Sequence, residues 1–328
     1  MRILSAKNFN RSRDAARRLR RRSRAERRQT RQNCPAPIRI RYYVPKELRR
    51  EFEQFADQIE TMLCRGAVVT IDFRPTVQLS PCGVLLLMGL VDSWLERFPG
   101  QLTARYPTND LVEQMLQQVE ILQKLGLEAR KEISHADVKR WHYFTGRDVQ
   151  ADKTEPFMDE LRLVISEEAQ KGLYDCVAEA MTNVKHHAYG EDGEGGNWWM
   201  FATISQKRVF VAMHDRGATI PATLLAKPQF RDYITGNVFS IRAGTDASLI
   251  AAAVGGRTRT RLDYRGKGLP EMLEFTRSIP ASDLGIYSRK GFFRFNNGHQ
   301  QLESSGNLDW SVDGTLILWM INLSGDKK

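Results

Sequence analysis

Hydrophobic positions in the first half of the chain recur with helical and strand periods in turn. Apolar residues of 46–64 fall every three or four positions, which predicts an amphipathic helix. The runs "GAVVTIDF" (66–73) and "QLTARYP" (101–107) predict strands, while "SPCGVLLLMGLVDSWLERFPG" and "TNDLVEQMLQQVEILQKLGLE" predict helices. Strands and helices alternate over about a hundred residues, and this order predicts a small α/β domain.

The second half has a different order of elements. One long helix is expected within 159–190, and 222–265 is expected to be irregular. The strands are predicted at "WWMFATISQ", "RVFVAMHD", "GIYSRKGFFRFNN" and "GTLILWMINL", with a helix after "RGKGLP". Because helices and strands are grouped rather than alternating, this half is predicted to be an α+β domain.

Length and composition favour a soluble two-domain protein. The chain has 328 residues, and its longest strongly apolar run, "VLLLMGLV" (84–91), is far shorter than the roughly 18 residues that span a bilayer. The Arg-rich start is not followed by the apolar core of a signal peptide. The four cysteines show no Cys-x-x-Cys spacing, so we expect a cytoplasmic, reducing location and no zinc site.

The positive charge of the chain is concentrated at its N-terminus. Residues 1–32 contain 12 Arg and one Lys against two acidic residues, a net charge of +11, and the rest of the chain sums to −1. Such a tail is compatible with phosphate contacts to nucleic acid, with an acidic partner or anionic membrane, with a transit peptide, or with a solvated, disordered extension. Composition alone leaves these alternatives open.

The segment "EAMTNVKHHAYG" places Glu179, Asn183 and His187 on one stripe of the predicted helix. An Asn amide oxygen is a hard ligand that suits Mg²⁺, and a carboxylate can orient or deprotonate a nucleophile. A single Glu-x-x-x-Asn is more often only a polar helix face. His187 is equally compatible with a packed polar residue and with a ligand.

Further chain elements that could handle a nucleotide follow in order. Asp215 ends an apolar strand, where a buried carboxylate can accept a hydrogen bond from an amine, and Gly217 allows a close approach to a flat base. Gly255 and Gly256, and then Gly266 and Gly268 before a helix, can free backbone N–H groups for phosphate. Together these elements predict a nucleotide site.

The order of these motifs resembles the GHKL ATPase family, which includes gyrases, heat-shock chaperones and histidine kinases. The resemblance covers about residues 160–325, and "EAMTNVKHHAY" is most similar to the anti-sigma-factor serine kinases. It implies a two-layer ATP-binding domain (the Bergerat fold) with ATP and Mg²⁺ as cofactors. The implied roles are a catalytic base, Glu179; a magnesium ligand, Asn183; adenine contacts, Asp215, Gly217 and Thr315; and a triphosphate loop, Gly266, Lys267 and Gly268.

Two positions depart from the family pattern. Thr219 stands where the family has the second Gly of its Asp-x-Gly-x-Gly motif, and Pro270 stands where another Gly is usual. These departures leave nucleotide binding in place and argue against fast turnover.

The first domain resembles the STAS fold of anti-sigma-factor antagonists. In that family a partner kinase phosphorylates a Ser in an Asp-Ser-Ser-Gly turn, whereas this chain reads Ser80, Pro81, Cys82, Gly83. Proline cannot carry a phosphate, Ser80 is a weak substitute, and Cys82 fits a buried structural thiol better than a reactive one. We therefore expect a STAS-like scaffold that docks rather than receives phosphate.

The combined expectation is a basic tail (1–34), a STAS-like α/β domain (35–130), a linker (131–157) and a GHKL domain (158–325). Its function would be that of an ATP- and magnesium-binding regulator, in which nucleotide orders a lid and controls docking of the STAS-like domain or of a STAS-like or sigma-factor-like protein partner. Slow ATPase or protein serine/threonine kinase activity and a homodimer are compatible with this expectation.

Two other functions have features in the sequence that suggest them. A non-enzymatic protein that binds nucleic acid through residues 1–32 is the alternative. The Ser-His pair that ends at His135 suggests the phosphoacceptor histidine of a sensor histidine kinase. This function is rejected, because the sequence around His135 has no long heptad-patterned helical hairpin such as these enzymes use to dimerise.

Overall fold

The computed structural model describes residues 30–40, 46–189, 196–205, 207–226, 245–255, 268–298 and 300–323. These residues form mixed α and β structure with three sheets: a three-stranded parallel sheet, a two-stranded parallel sheet and a five-stranded antiparallel sheet. Within the described ranges, no helix is both long and apolar enough to cross a membrane.

The N-terminal unit contains the two parallel sheets and the helices around them. Its strands are β1 (Arg31–Pro35), β2 (Arg39–Ile40), β3 (Val68–Asp72), β4 (Gln78–Leu79) and β5 (Leu102–Arg105). Its helices are α1 (Lys46–Cys64), α2 (Pro81–Arg97), α3 (Asp110–Gln118), α4 (Ile121–Lys124) and α5 (Ala136–Lys139). The three-stranded sheet has the order β1-β3-β5, and β2 pairs with β4.

The C-terminal unit is built on the five-stranded sheet, in the order β6-β7-β8-β10-β9. Its strands are β6 (Trp141–Gly146), β7 (Trp198–Ile204), β8 (Arg208–Asp215), β9 (Ser282–Asn297) and β10 (Gln301–Asn322). Its helices are α6 (Glu155–Leu161), α7 (Glu167–Asn183), α8 (Ile220–Ala226), α9 (Asp246–Val254) and α10 (Gly268–Ser278), and a π turn (Val184–Ala188) extends α7.

Helix α2 joins the two units, because it packs on one face of the five-stranded sheet. It begins at Pro81, whose missing N–H costs nothing in a first turn, and the Ser80 hydroxyl accepts the Gly83 N–H at 3.2 Å. Its apolar residues share one core with sheet residues such as Trp199 and Leu316. The opposite sheet face packs against α7, α9 and α10 in a second core.

Two expected boundaries differ in the structure. Residues 31–34, expected in the basic tail, belong to β1, which pairs with β3 in parallel and places Cys34 opposite Ile71. Residues 131–157, expected as a linker, contain β6, whose apolar and aromatic residues pair with β7 across the sheet. Because polar residues surround β6 in the sequence, no strand was expected there. Its pairing with β7, which is distant in the chain, stabilises it.

The helix boundaries differ as well. The single helix expected over 159–190 is two helices, because the Ser166 side chain caps α7 by accepting the Ala169 N–H at 3.2 Å. The section 222–265, expected to be irregular, includes most of α8 and all of α9. Thr245 caps α9 in the same way, accepting the Ser248 N–H at 3.3 Å.

Candidate functional site

Four side chains form a row across the sheet, on the face that packs against α7. The strand register places Trp198 beside Asp215, Asp215 beside Thr315, and Thr315 beside Ser288. Side chains of directly opposed residues lie on the same sheet face. A polar row of Asp, Thr and Ser on a face that is otherwise apolar marks the centre of the candidate site.

Asp215 is a carboxyl group with little access to solvent. It is 6% exposed, and its Oδ1 accepts the Gly217 N–H at 2.9 Å. Burial raises the pKa of this carboxyl to about 7, although the hydrogen bond from Gly217 acts in the opposite direction. Near neutral pH, Asp215 is therefore present both as a carboxylate, which only accepts hydrogen bonds, and as a protonated acid, which can also donate one.

Gly217 is held close to the π turn that ends α7. A Cβ atom at position 217 would lie 2.3 Å from the Ala188 carbonyl oxygen, and the Ala218 N–H donates to the same oxygen at 2.5 Å. The expected reason for this glycine was close approach to a base. The geometry gives another reason, a close backbone contact that holds the turn after β8 against the end of α7.

A bulge in β10 orients Thr315. The register between β9 and β10 shifts between Val312 and Thr315, and Gly314 has a φ of 79°. A Cβ atom on Gly314 would lie 2.0 Å from the Asp215 carbonyl oxygen. Bulges of this kind redirect the following side chain, and here that side chain is Thr315.

The start of α10 lies beside the helix stripe identified from the sequence. A Cβ atom on Gly268 would lie 2.7 Å from Glu179 Oε2 and 3.1 Å from Asn183 Nδ2. Burial, together with the nearby carboxylates of Glu271 and Asp175, raises the pKa of Glu179. The Asn183 amide nitrogen is buried and has no hydrogen-bond partner among the described residues. Such an atom is costly unless a ligand or water satisfies it.

These residues surround one cavity of about 110 Å³. Asn183, Asp215, Gly268 and Thr315, all expected from the sequence, line it, and so does His187. Its remaining wall is largely apolar and includes Met213, Ile220, Leu224, Ala253, Leu269 and Ile317. Largely apolar walls with a few convergent polar groups are typical of a small-molecule site.

The remaining expected site residues are not all in the described ranges. Glu179 lies next to Gly268, and Gly217 supports the turn beside the cavity. Gly266 and Lys267, expected to contact the triphosphate, lie outside the described residues, as does the Arg-rich tail up to residue 29.

The two departures from the family pattern have local explanations. The Thr219 hydroxyl accepts the Ala222 N–H at 3.3 Å in the first turn of α8, so the threonine caps that helix. Pro270 lies in the first turn of α10, where backbone N–H groups have no partner within the helix. Neither residue enters the cavity wall.

Two residues that sequence reasoning missed support the site. The Tyr189 hydroxyl accepts the Arg216 N–H at 3.2 Å and donates to the Asn197 carbonyl at 3.2 Å, so it ties β8 to the start of β7. Its position directly after the predicted stripe was the available signal. Ser288 is fully buried beside Thr315, and no sequence pattern points to it.

The turn before α2 has the structure of a helix cap. The Ser80 hydroxyl is engaged by Gly83, and burial raises the pKa of the Cys82 thiol to about 12. A thiol with so high a pKa is a poor nucleophile at neutral pH, in agreement with a structural role.

No protein-family model matches this chain, and a search of curated proteins found no similar protein.

Proposed function

We propose that this protein binds ATP with Mg²⁺ in the cavity between α7, α10 and the sheet, and that it uses the nucleotide for regulation. The observation that carries the proposal is the convergence of Asn183, Asp215, Gly268 and Thr315 on one largely apolar cavity. These four residues come from four separate elements or turns of the chain. Their convergence follows the order of motifs that resembles the GHKL family.

The base would bind at the sheet end of the cavity. Ionised Asp215 can accept a hydrogen bond from an exocyclic amino group, and the apolar walls formed by residues such as Met213 and Leu269 can cover the flat faces of the ring. The absence of a side chain at Gly268 leaves space next to Glu179 and Asn183, where phosphate oxygens would approach the start of α10.

The donor set at the other end of the cavity fits magnesium. Asn183 carries an amide whose nitrogen has no partner among the described residues, and the two ends of an amide are exchanged by a simple rotation. An amide oxygen together with phosphate oxygens and water is a usual environment for Mg²⁺. Bound there, the ion would neutralise charge on the phosphates.

Glu179 would hold or accept a proton near the terminal phosphate. Its raised pKa makes it a better base than an exposed glutamate, which fits a role in activating water or a Ser/Thr hydroxyl. Slow ATPase or protein kinase activity therefore belongs to the proposal. A STAS-like or sigma-factor-like protein is the proposed kind of partner. The alternative function, nucleic-acid binding, rests on residues 1–32, of which only 30–32 are described.

Calorimetric titration of Mg-ATP and Mg-ADP into the full chain tests this function. We expect binding by the wild type, and a loss of at least about tenfold in affinity in Asn183→Ala and in Asp215→Ala. Asp159→Ala is the control, because this aspartate of α6 is exposed and pairs with the exposed Arg162. Unchanged affinity in Asn183→Ala would contradict the assignment, and no binding by the wild type would reject the function.

A further inference from the structure

We propose that Ser288 determines which base the cavity accepts, by fixing the hydroxyl of Thr315 as a hydrogen-bond acceptor. The inference rests on the proposed function and adds a specificity residue to it. Ser288 lies on β9, outside the cavity wall, and is fully buried. It acts through Thr315, and is therefore a positioning residue.

The hydrogen bonds around Ser288 assign its single proton. Its Oγ lies 2.8 Å from the Gly314 carbonyl oxygen, 3.0 Å from the Ile220 nitrogen and 3.1 Å from Thr315 Oγ1. A carbonyl oxygen can only accept, so the Ser288 hydroxyl must donate to Gly314. The Ile220 N–H can only donate, so it takes one lone pair of Ser288.

The bond between the two hydroxyls then has one direction. Ser288 has no second proton, and one lone pair remains on its Oγ. The Thr315 hydroxyl must therefore donate to Ser288. Once its hydrogen is used there, Thr315 can offer only lone pairs to a molecule that approaches its hydroxyl from the cavity.

Asp215 is the neighbour of Thr315 on the adjacent strand and lines the same cavity. When ionised, its carboxylate is also an acceptor, so the two groups form a surface without donors. An amino group of a ring at this edge can donate one N–H to each acceptor. A carbonyl oxygen at the same position meets lone pairs instead, and only the N–H of the adjacent ring nitrogen can still donate.

ATP and inosine triphosphate are a suitable pair of probes, because their bases differ at one ring position. That position bears an amino group in ATP and a carbonyl oxygen in inosine triphosphate, and the adjacent ring nitrogen carries a hydrogen only in the latter. We expect the wild type, titrated at pH 8 so that Asp215 is ionised, to prefer Mg-ATP. In Ser288→Ala the Thr315 hydroxyl can rotate and donate, so the ratio of the two affinities should fall by about tenfold, which corresponds to one hydrogen bond.

Ser282→Ala is the matched control. Ser282 is a second buried serine of β9, and its hydroxyl contacts the Thr276 and Ile279 carbonyls away from the cavity. This variant should keep the wild-type ratio. A purely structural role of Ser288 would weaken both nucleotides by the same factor and leave the ratio unchanged.

Thr315→Val supplies an independent variant, because it removes the hydroxyl on which Ser288 acts. It should lower the ratio by a similar factor, and the double variant with Ser288→Ala should lower it no further. If Ser288→Ala does not fold, an unchanged ratio in Thr315→Val overturns the inference. A wild type that binds ATP, with an unchanged ratio in folded Ser288→Ala, overturns the inference but keeps the proposed function. Binding of neither nucleotide by the wild type overturns both.

Discussion

The two faces of the five-stranded sheet carry adjacent rows of side chains with opposite character. One row, Trp198, Asp215, Thr315 and Ser288, includes the polar floor of the cavity. The next row, Trp199, His214, Leu316 and Tyr287, faces the N-terminal unit and is largely apolar. Each residue of one row precedes or follows a residue of the other in sequence, so a single step along a strand separates the candidate ligand site from the contact with the N-terminal unit.

The apolar row shows how firmly the N-terminal unit is attached. Trp199 donates from Nε1 to Asp92 of α2 at 2.7 Å, and Asp92 also pairs with Lys124 at 2.7 Å. Gly89 of α2 packs against His214 and Arg216, the residues on either side of Asp215. Nucleotide-dependent release of this unit would have to open a shared core. If the protein binds a nucleotide as proposed, the signal would therefore be passed more readily to a separate protein.

The comparison predicts its largest effect on the apolar face. Trp199→Ala should lower the free energy of unfolding by about 3–5 kcal/mol, because it leaves a large cavity and removes a partner of Asp92. Urea denaturation measures this loss. Leu163→Ala is the control, since Leu163 is 78% exposed and should change stability by less than about 0.5 kcal/mol. A loss below about 1 kcal/mol for Trp199→Ala would mean that the shared core does not hold the units together.

The polar face should respond to Asp215→Asn in two opposite ways. The native carboxyl, with a pKa near 7, binds a proton that the unfolded chain has released by that pH. The contribution of Asp215 to wild-type stability should therefore fall as the pH rises from about 4 to 7, and the variant, which lacks this titration, should be more stable at pH 8, by on the order of 2–4 kcal/mol. Its affinity for Mg-ATP should fall about ten- to a hundredfold.

Denaturation curves at pH 5 and pH 8, with titrations at pH 8, test this pair of effects. The stabilisation of Asp215→Asn should be much smaller at pH 5, because wild-type Asp215 is then mostly protonated. A variant that is destabilised at pH 8 would show that the carboxylate supports the fold. The burial of Asp215 would then no longer support its assignment as a group that binds a ligand.

The bulge that separates the two rows should be sensitive to a methyl group. Gly314→Ala should cost about 2–3 kcal/mol of unfolding free energy, because a Cβ atom would meet the Asp215 carbonyl at a φ of 79°. Gly66→Ala is a matched control with a φ of 78° and no atom within 4 Å, so it should carry only the backbone cost of about 1 kcal/mol. Equal losses in thermal denaturation would show that the bulge tolerates a side chain.

The smallest effect is expected where the two faces meet. Arg216 follows Asp215, and its guanidinium donates to the Gly89 carbonyl at 3.2 Å and to Asp313 at 2.6 Å. Arg216→Ala should cost about 1 kcal/mol, because Asp313 is largely exposed. If the faces are independent, the dissociation constant of Mg-ATP should change less than about twofold, an effect below 0.5 kcal/mol. A larger change in titration would show that the domain contact and the cavity are coupled.

The stability of the apolar row should also depend on pH, with the opposite sign to that of Asp215. Burial lowers the pKa of His214 to about 4, so the unfolded chain binds a proton that the native histidine does not. This residue should stabilise the fold fully above about pH 6.5 and less as the pH falls towards 4. His214→Gln should remove the dependence, which a comparison of denaturation midpoints at pH 5 and pH 7.5 would measure.

Local sequence patterns were sufficient to predict most helices and strands and several residues of the candidate site. Helical spacing is local, so it was sufficient to place Glu179 and Asn183 on one stripe of a helix. The apolar run before Asp215 was likewise sufficient to place that carboxyl at a strand end. The chain order of these motifs then allowed Asn183, Asp215, Gly268 and Thr315 to be expected together, and the structure brings all four to one cavity.

Which distant residues become neighbours depends on how the elements pair and pack. Strand register sets Ser288 beside Thr315, and the packing of α2 covers the face that holds Trp199. The π turn brings Ala188 against Gly217 and so gives that glycine its role. Such contacts depend on the pairing and docking of elements far apart in the chain. Local periodicity cannot encode them, because a strand's residues alternate in the same way whichever partner it pairs with.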